Sequence, residues 1–542
     1  MMRCLIDTPC AAALFILMSL LAPGRGLAEE PDPRFKAFFE AADPAARQAA
    51  IAAIRAAAPD PMDVERAVHQ GRSYPADTKK GWQVFTHTGT DGKARPYHVY
   101  VPRGYDPARK HPAIVSLHGG VSRHNLLPED VVNQIHADFE KDADKYGRII
   151  IFPLGQRGAT WFDRVGMTNL LAQLAAVKRR YNIDEDRVFL GGFSDGGSGA
   201  LVMGLYDPTP WAGFYALSGS IVVAGMAPDD AFPANLSNRP VHAANGGVDP
   251  LYPSVLQKML IDQLKEQGAR ITWTDYPASG HDDSYMEQED PKVNQFLLKT
   301  ERDPAPKHLV WETASPKVGR CDWVRIDEVR DVGNNRGPEP SNLSLTGPPQ
   351  FAVRPDMAFA GPGLRVQEVP PGTLSQTAGL KPGDVLTRLH GVEIKTLADF
   401  QKVGLTQIFA MKKDDTIGGE YRRGDAIQSF RIEVPELPRV PIFKRTGLAG
   451  RLEVNAKGNR IEVTARAVAR YTLLIRRGLF DLDQPIQVVT NGAESFHARV
   501  KPDLGFLLEQ AAEDDDRSAI SCAQIEVKVP PGAAPASAPG RP

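Results

Sequence analysis

The residues with the clearest chemical meaning are Gly192-Phe193-Ser194-Asp195-Gly196, a match to G-x-S-x-G. In that pattern a strand turns so sharply into a helix that the serine backbone is strained and its hydroxyl stands exposed, with glycines removing the side chains that would clash. A serine hydroxyl is a weak nucleophile, so it needs a histidine to take its proton and a carboxylate to hold the imidazole in the useful tautomer. Asp249 stands just past a predicted strand at 241–244, and His281 just past the next, at 271–275. The competing acids fit less well: Asp229 and Asp230 precede the strand and Asp262 falls within a predicted helix. His242 lies inside a strand, while Asp282 and Asp283 are read as shaping the turn beside His281. Acyl transfer also develops an oxyanion that two backbone N–H groups stabilise. Asp195, directly after the serine, is expected to supply one. Gly120, in Ser116-Leu117-His118-Gly119-Gly120, is expected to supply the other, with Val121 as the neighbouring alternative.

These residues need a scaffold that brings them to one edge. From Gly81 onward, short β-rich runs alternate with helical ones: a hairpin around Asp91-Gly92, then strands near 113–117, 148–152, 188–190, 213–217, 241–244 and 271–275. Helical segments from Leu170 to Tyr181 and from Ser254 to Gln267 separate later strands, as in a mostly parallel sheet with helices on both faces. This α/β domain is expected to span residues 81–302. Before it, residues 29–80 are alanine-rich, with apolar residues at helical spacing, and read as a helical extension capping the domain that follows.

After the linker at 303–306 the helices nearly vanish. Two predicted strands before residue 346 and six after residue 447 are together enough for a β-sandwich, so residues 307–346 and 447–529 are read as one discontinuous domain. Between them, residues 349–436 contain Gly363-Leu-Arg-Val-Gln-Glu-Val-Pro-Pro-Gly372 and Ala378-Gly-Leu-Lys-Pro-Gly-Asp-Val-Leu386. This insert resembles a PDZ domain of the kind found in periplasmic proteases. The resemblance implies that Gly361, Gly363 and Leu364 capture a peptide carboxylate and that Leu397 to Val403 supply the groove helix. A structural or interdomain role is the alternative. Residues 530–542 are Pro- and Ala-rich, too poor in apolar material to fold.

At 542 residues the chain requires several cores. A formal net charge of −2, with dispersed basic residues, argues against a nucleic-acid partner. Arg3, the apolar run from Ala11 to Ala22 and the small residues before Glu29 read as a signal peptide, residues 1–28, cleaved after Ala28. The mature chain is therefore expected to be secreted or periplasmic and to lack a membrane span. In an oxidising compartment Cys321 and Cys522 are expected to pair, two buried thiols being the alternative. They are too isolated to hold a metal, and no metal is expected.

Taken together, Tyr97-His-Val-Tyr-Val-Pro, Leu117-His-Gly-Gly, the Asp184 to Gly197 stretch, Val-Asp249-Pro and Gly280-His281 resemble secreted α/β-hydrolases of the feruloyl esterase and polyhydroxybutyrate depolymerase type. That resemblance implies hydrolysis of carboxylic esters, small or polymeric, without a cofactor. Asp195 departs from the apolar residue common after the nucleophile and is expected to disfavour anionic groups near the oxyanion. Trp161 and Phe162 are candidates either for an acyl-pocket wall or for ordinary core. The alternatives to an esterase are a serine peptidase of the same fold, suggested by the peptide-binding module, and a non-catalytic binding protein.

Overall fold

The computed structural model describes residues 33–41, 43–331, 340–347 and 349–531. The expected signal peptide, and all but the first two residues of the expected tail, lie outside the described residues.

The α/β domain is built on an eight-stranded sheet: β1 (Gly81–Thr88), β2 (Ala94–Val101), β3 (His111–Leu117), β4 (Ile149–Pro153), β5 (Ile183–Phe193), β6 (Gly213–Leu217), β7 (Val241–Gly246) and β8 (Ile271–Tyr276). Their order is β1-β2-β4-β3-β5-β6-β7-β8. The β1/β2 hairpin and the β2/β4 pair are antiparallel, and every pairing from β4 to β8 is parallel. The central strands read as apolar runs because both faces are covered: β4 and β6 are buried throughout. Parallel register also gathers strand ends. Leu117 of β3 pairs with Gly192 of β5, Phe193 with Leu217 of β6, and Gly246 of β7 with Tyr276 of β8. The loops after β3, β5, β7 and β8 therefore leave the same edge of the sheet, where an open α/β sheet presents its crevice.

Among the described residues, three helices precede this sheet: Pro33–Glu40, Pro44–Ala56 and Pro61–Gln70. The second and third are each started by an aspartate, Asp43 or Asp60, whose carboxylate accepts a first-turn N–H. They do not cap the domain that follows. Phe35, Phe38, Ile51, Ile54, Val64 and Val68 instead join the core of the C-terminal β domain, beside Leu507 and Leu508. Those two leucines belong to a helix, Leu504–Asp514, that the strand-rich reading of this region passed over.

The β domain packs a four-stranded sheet (Arg320–Cys321, Val324–Val329, Val468–Ile475, Ala523–Lys528) on a five-stranded one (Ala493–Ala498, Ile486–Thr490, Arg460–Arg466, Gly450–Lys457, His308–Thr313). Strands from both sides of the insert thus share one core. Cys321 and Cys522 are both buried free thiols, which corrects the disulfide expectation. Cys321 sits on one edge strand of the four-stranded sheet and Cys522 just before the opposite edge strand. Three strand spacings, about 14 Å, exceed the reach of a disulfide. Burial pushes the Cys522 thiol up to about 11 and the Cys321 thiol well above its ordinary value.

The two domains are fastened by polar groups with little exposure. The Asn235 side chain donates to the carbonyls of Leu205 and Glu312 and accepts from the Glu312 N–H. Arg239 forms a buried ion pair with Asp322. The insert enters and leaves through a two-stranded stem, Ser344–Thr346 against Arg439–Pro441. Its own core includes Leu386, Leu389, Ile394, Val403 and Ile417.

Candidate active site

Ser194 joins β5 to the helix Asp195–Tyr206 at φ +58°, ψ −119°, a conformation that costs a residue bearing a Cβ about 1–3 kcal/mol. The neighbours impose it. Ser194 N–H donates to Leu217 O at 2.8 Å, and its carbonyl accepts from Ser198 N–H at 3.0 Å. A Cβ at Gly192 or Gly196 would fall 2.0 or 1.9 Å from Leu117 O, so both glycines are required by the end of β3 as well as by the turn.

Nε2 of His281 lies 2.8 Å from Ser194 Oγ, and Nδ1 lies 2.7 Å from Asp249 Oδ2. A carboxylate only accepts, so Nδ1 carries the proton and Nε2 is left to receive the serine's. Asp249 is completely buried, and its other oxygen accepts the N–H groups of Leu251 (2.8 Å) and Tyr252 (2.9 Å). The acid's loop is laced to the histidine's: Gly247 N–H donates to Tyr276 O and Val248 N–H to Ser279 O. A Cβ at Gly246 would lie 2.3 Å from Gly280 O, which sets how closely the two loops approach. Phe193 and Tyr252 flank the imidazole, with ring centroids 5.2 and 5.8 Å away.

The competing acids and histidine are engaged elsewhere. Asp229 pairs with Arg164, Asp262 with Lys258, and Asp230 accepts from Thr446. His242 is buried against Glu289. Asp282 accepts the Ser284 N–H, and its hydrogen bonds with Ser284 hold its carboxyl below the usual range, as befits a turn-shaping residue.

The loop after β3 lies directly over the serine: a Cβ at Gly119 would be 2.9 Å from Ser194 Cβ. Gly120 adopts φ +70°. The Val121 N–H donates to the Asp195 carboxylate at 2.8 Å, so Val121 is spent on holding the loop. Among the described residues, neither Gly120 N–H nor Asp195 N–H has an intramolecular acceptor, and both remain available to an oxyanion. Sequence reasoning missed this part for the Asp195 side chain. Its only signal was an acid where an apolar residue is common.

His118 supports the same loop from below. Its Nδ1–H donates to Gly119 O (2.8 Å), and its Nε2 accepts from Gly155 N–H (3.0 Å). Burial lowers its pKa to about 4, which keeps the ring neutral and able to accept. Trp161 donates to His118 O, and both Trp161 and Phe162 are buried in the main core, so they brace the loop from within.

Residues 163–300 match the phospholipase/carboxylesterase family, and residues 336–434 match the PDZ domain. The first of these parts of the chain is an α/β-hydrolase-like domain. It is 36% identical over 126 residues to acyl-protein thioesterase 1 of Neurospora crassa, covering 22% of this chain and 49% of that protein. It is 32% identical over 115 residues to acyl-protein thioesterase 1 of Gibberella zeae, covering 21% and 48%. The chain thus spans about half the length of these relatives. A ferulic acid esterase structure is 19% identical, with 40% of this chain and 98% of that one covered and a TM-score of 0.33.

In the PDZ domain, a groove of ≈ 610 Å³ runs between the segment Pro349–Val353 and the helix Leu397–Thr406. The helix is the expected one, and a capping box of Thr396 and Asp399 starts it. The expected carboxylate loop is not part of the groove lining. Leu364 opens the strand Leu364–Glu368 and pairs with Leu386; a Cβ at Gly363 would meet Val385 at 2.6 Å, and one at Gly361 the Phe359 ring at 2.5 Å. Those glycines serve close packing. The segment that faces the helix, Pro349-Gln350-Phe351-Ala352-Val353, lies one strand earlier and contains no glycine, which is why composition did not reveal it. Among the described residues no helix is long and apolar enough to cross a membrane.

Proposed function

We propose that the chain is a serine hydrolase of carboxylic esters that works through an acyl-enzyme on Ser194. The observation that carries this is the hydrogen-bonded line from Ser194 Oγ through His281 to the buried Asp249. Ser194 Oγ adds to the ester carbonyl while His281 Nε2 takes its proton, and the N–H groups of Gly120 and Asp195 receive the oxyanion. Collapse expels the alcohol, protonated by His281. Water, deprotonated by the same nitrogen, then releases the acid and regenerates the serine. Asp249 stays ionised throughout and compensates the imidazolium.

The name carried by the two relatives supports including thioesters on peptides among the substrates tested. The PDZ groove on the same chain favours peptide amides as the second reading. Purified protein assayed on short acyl p-nitrophenyl esters, acyl thioesters and peptide amides separates the two. Ester turnover and fluorophosphonate labelling that both vanish in Ser194→Ala are expected. Amide cleavage with no ester turnover would favour the peptidase, and labelling that persists in Ser194→Ala would defeat both. The PDZ groove is assigned to the C-terminus of an extended peptide. The chain is further placed outside the cytoplasm after cleavage behind Ala28, which N-terminal sequencing of the exported protein checks.

A further inference from the structure

The PDZ groove is not closed by the PDZ domain alone. Val248 and Pro250, the two residues that flank Asp249, line it together with residues of the PDZ domain. The contact is extended. The α/β-domain helix Ser254–Glu266, which begins right after this loop, packs against Ile408–Ala410 of the PDZ domain. Gln263 of that helix and Gln267 just past its end donate to the carbonyls of Ser344, in the stem, and Asn342, just before it. Leu343 and Phe443, just outside the two stem strands, enter the core of the α/β domain.

The groove also states what fits it. Phe351, Phe400, Leu405 and Phe409 supply apolar walls; among the described residues Lys402 is the single charged one lining it, and no carboxylate does. Arg354–Pro355 continues the segment Pro349–Val353 as an edge strand paired to Leu364–Glu368, its other side unpaired in the sheet among the described residues. Such a space takes an extended chain with a free terminal carboxylate and an apolar last side chain.

We propose that a peptide C-terminus in this groove rests on the catalytic acid's own loop and thereby raises hydrolase activity. The proposal rests on the serine-hydrolase reading above. Val248 and Pro250 are one peptide bond from Asp249, whose carboxylate sits 2.7 Å from the imidazole. Packing against both neighbours restrains the loop that sets the orientation of the carboxylate. The groove and the aligned triad occur in the same conformation, so a ligand complementary to this groove favours the aligned state. Linkage requires the reverse effect as well: a molecule that binds the aligned triad preferentially tightens the peptide by the factor by which the peptide tightens that molecule, a reciprocity of affinities and not of kcat.

The test uses the full chain and hexapeptides ending in valine, leucine or phenylalanine, each with a free carboxylate or amidated. A saturating free-acid peptide is expected to raise kcat on a p-nitrophenyl ester about fivefold, with the amidated form inert. Leu405→Glu is expected to lose both binding of the free-acid peptide and the rise in kcat. Val248→Ala, outside the PDZ domain, is expected to weaken peptide binding several-fold, with fluorophosphonate labelling as the check that the site is folded. Phosphonylated protein is expected to bind the peptide more tightly. Absence of binding by every peptide, a kcat unchanged or lowered on binding, or an affinity indifferent to Val248→Ala would each overturn the proposal. Absent ester turnover in peptide-free protein would instead overturn the hydrolase reading, and the dependence of peptide affinity on Val248 would still report on the groove.

Discussion

Replacing Asp249 by asparagine perturbs one atom at the centre of the site. Oδ1 of Asp249 holds the N–H groups of Leu251 and Tyr252, and Oδ2 holds His281. In Asp249→Asn the oxygen stays with the two backbone donors, because the amide nitrogen has nothing to accept them with. The NH₂ then faces the imidazole, whose Nδ1 must give up its proton and become the acceptor. The hydrogen moves to Nε2, the atom that should take the serine's proton, and the base is lost while the fold is kept. A wrong tautomer of this kind costs about 10⁴ in kcat, or about 5 kcal/mol of transition-state stabilisation. The assay is kcat and KM on a p-nitrophenyl ester, with KM expected to change little, together with the rate of fluorophosphonate labelling. A variant within about tenfold of the parent kcat would refute the role given to Asp249, since a solvated or merely structural acid could lose its charge at that cost.

Gly196→Ala places a methyl 1.9 Å from Leu117 O and is expected to cost about 3 kcal/mol or more, read from denaturant midpoints of the α/β-hydrolase domain. Asp195→Ala releases the Val121 N–H and loosens the oxyanion loop. It is expected to lower kcat about tenfold, less than loss of a direct oxyanion donor, and Asp195→Asn is expected to restore most of it. His118 is neutral in the fold with a pKa lowered to about 4, whereas the unfolded chain takes that proton near 6.5. Its contribution is therefore present above about pH 6.5 and is lost as pH falls toward 4, by about 3 kcal/mol at most. Denaturation at a series of pH values, with His118→Gln as the comparison, checks the slope.

Local chemistry in the sequence carried much of this protein. G-x-S-x-G demands a strained turn that few residues tolerate, and an acid and a histidine each just past a strand of a parallel sheet are delivered to one edge, so Ser194, Asp249 and His281 were legible before any coordinates. The two-part β domain was legible for a similar reason: two strands cannot bury a core, so they had to find the later six. Tertiary structure alone decided what depends on which distant surfaces meet. The helices at 33–70 cap the β-sandwich because their apolar partners, Leu507 and Leu508, lie far along the chain. Cys321 and Cys522 fail to pair because strand order places them on opposite edges of one sheet. The PDZ groove is lined by a segment without glycines and by Val248 and Pro250, the neighbours of Asp249. Periodicity and motif report on a residue's own turn or strand, whereas these outcomes were set by packing between elements whose separation along the chain no local pattern records.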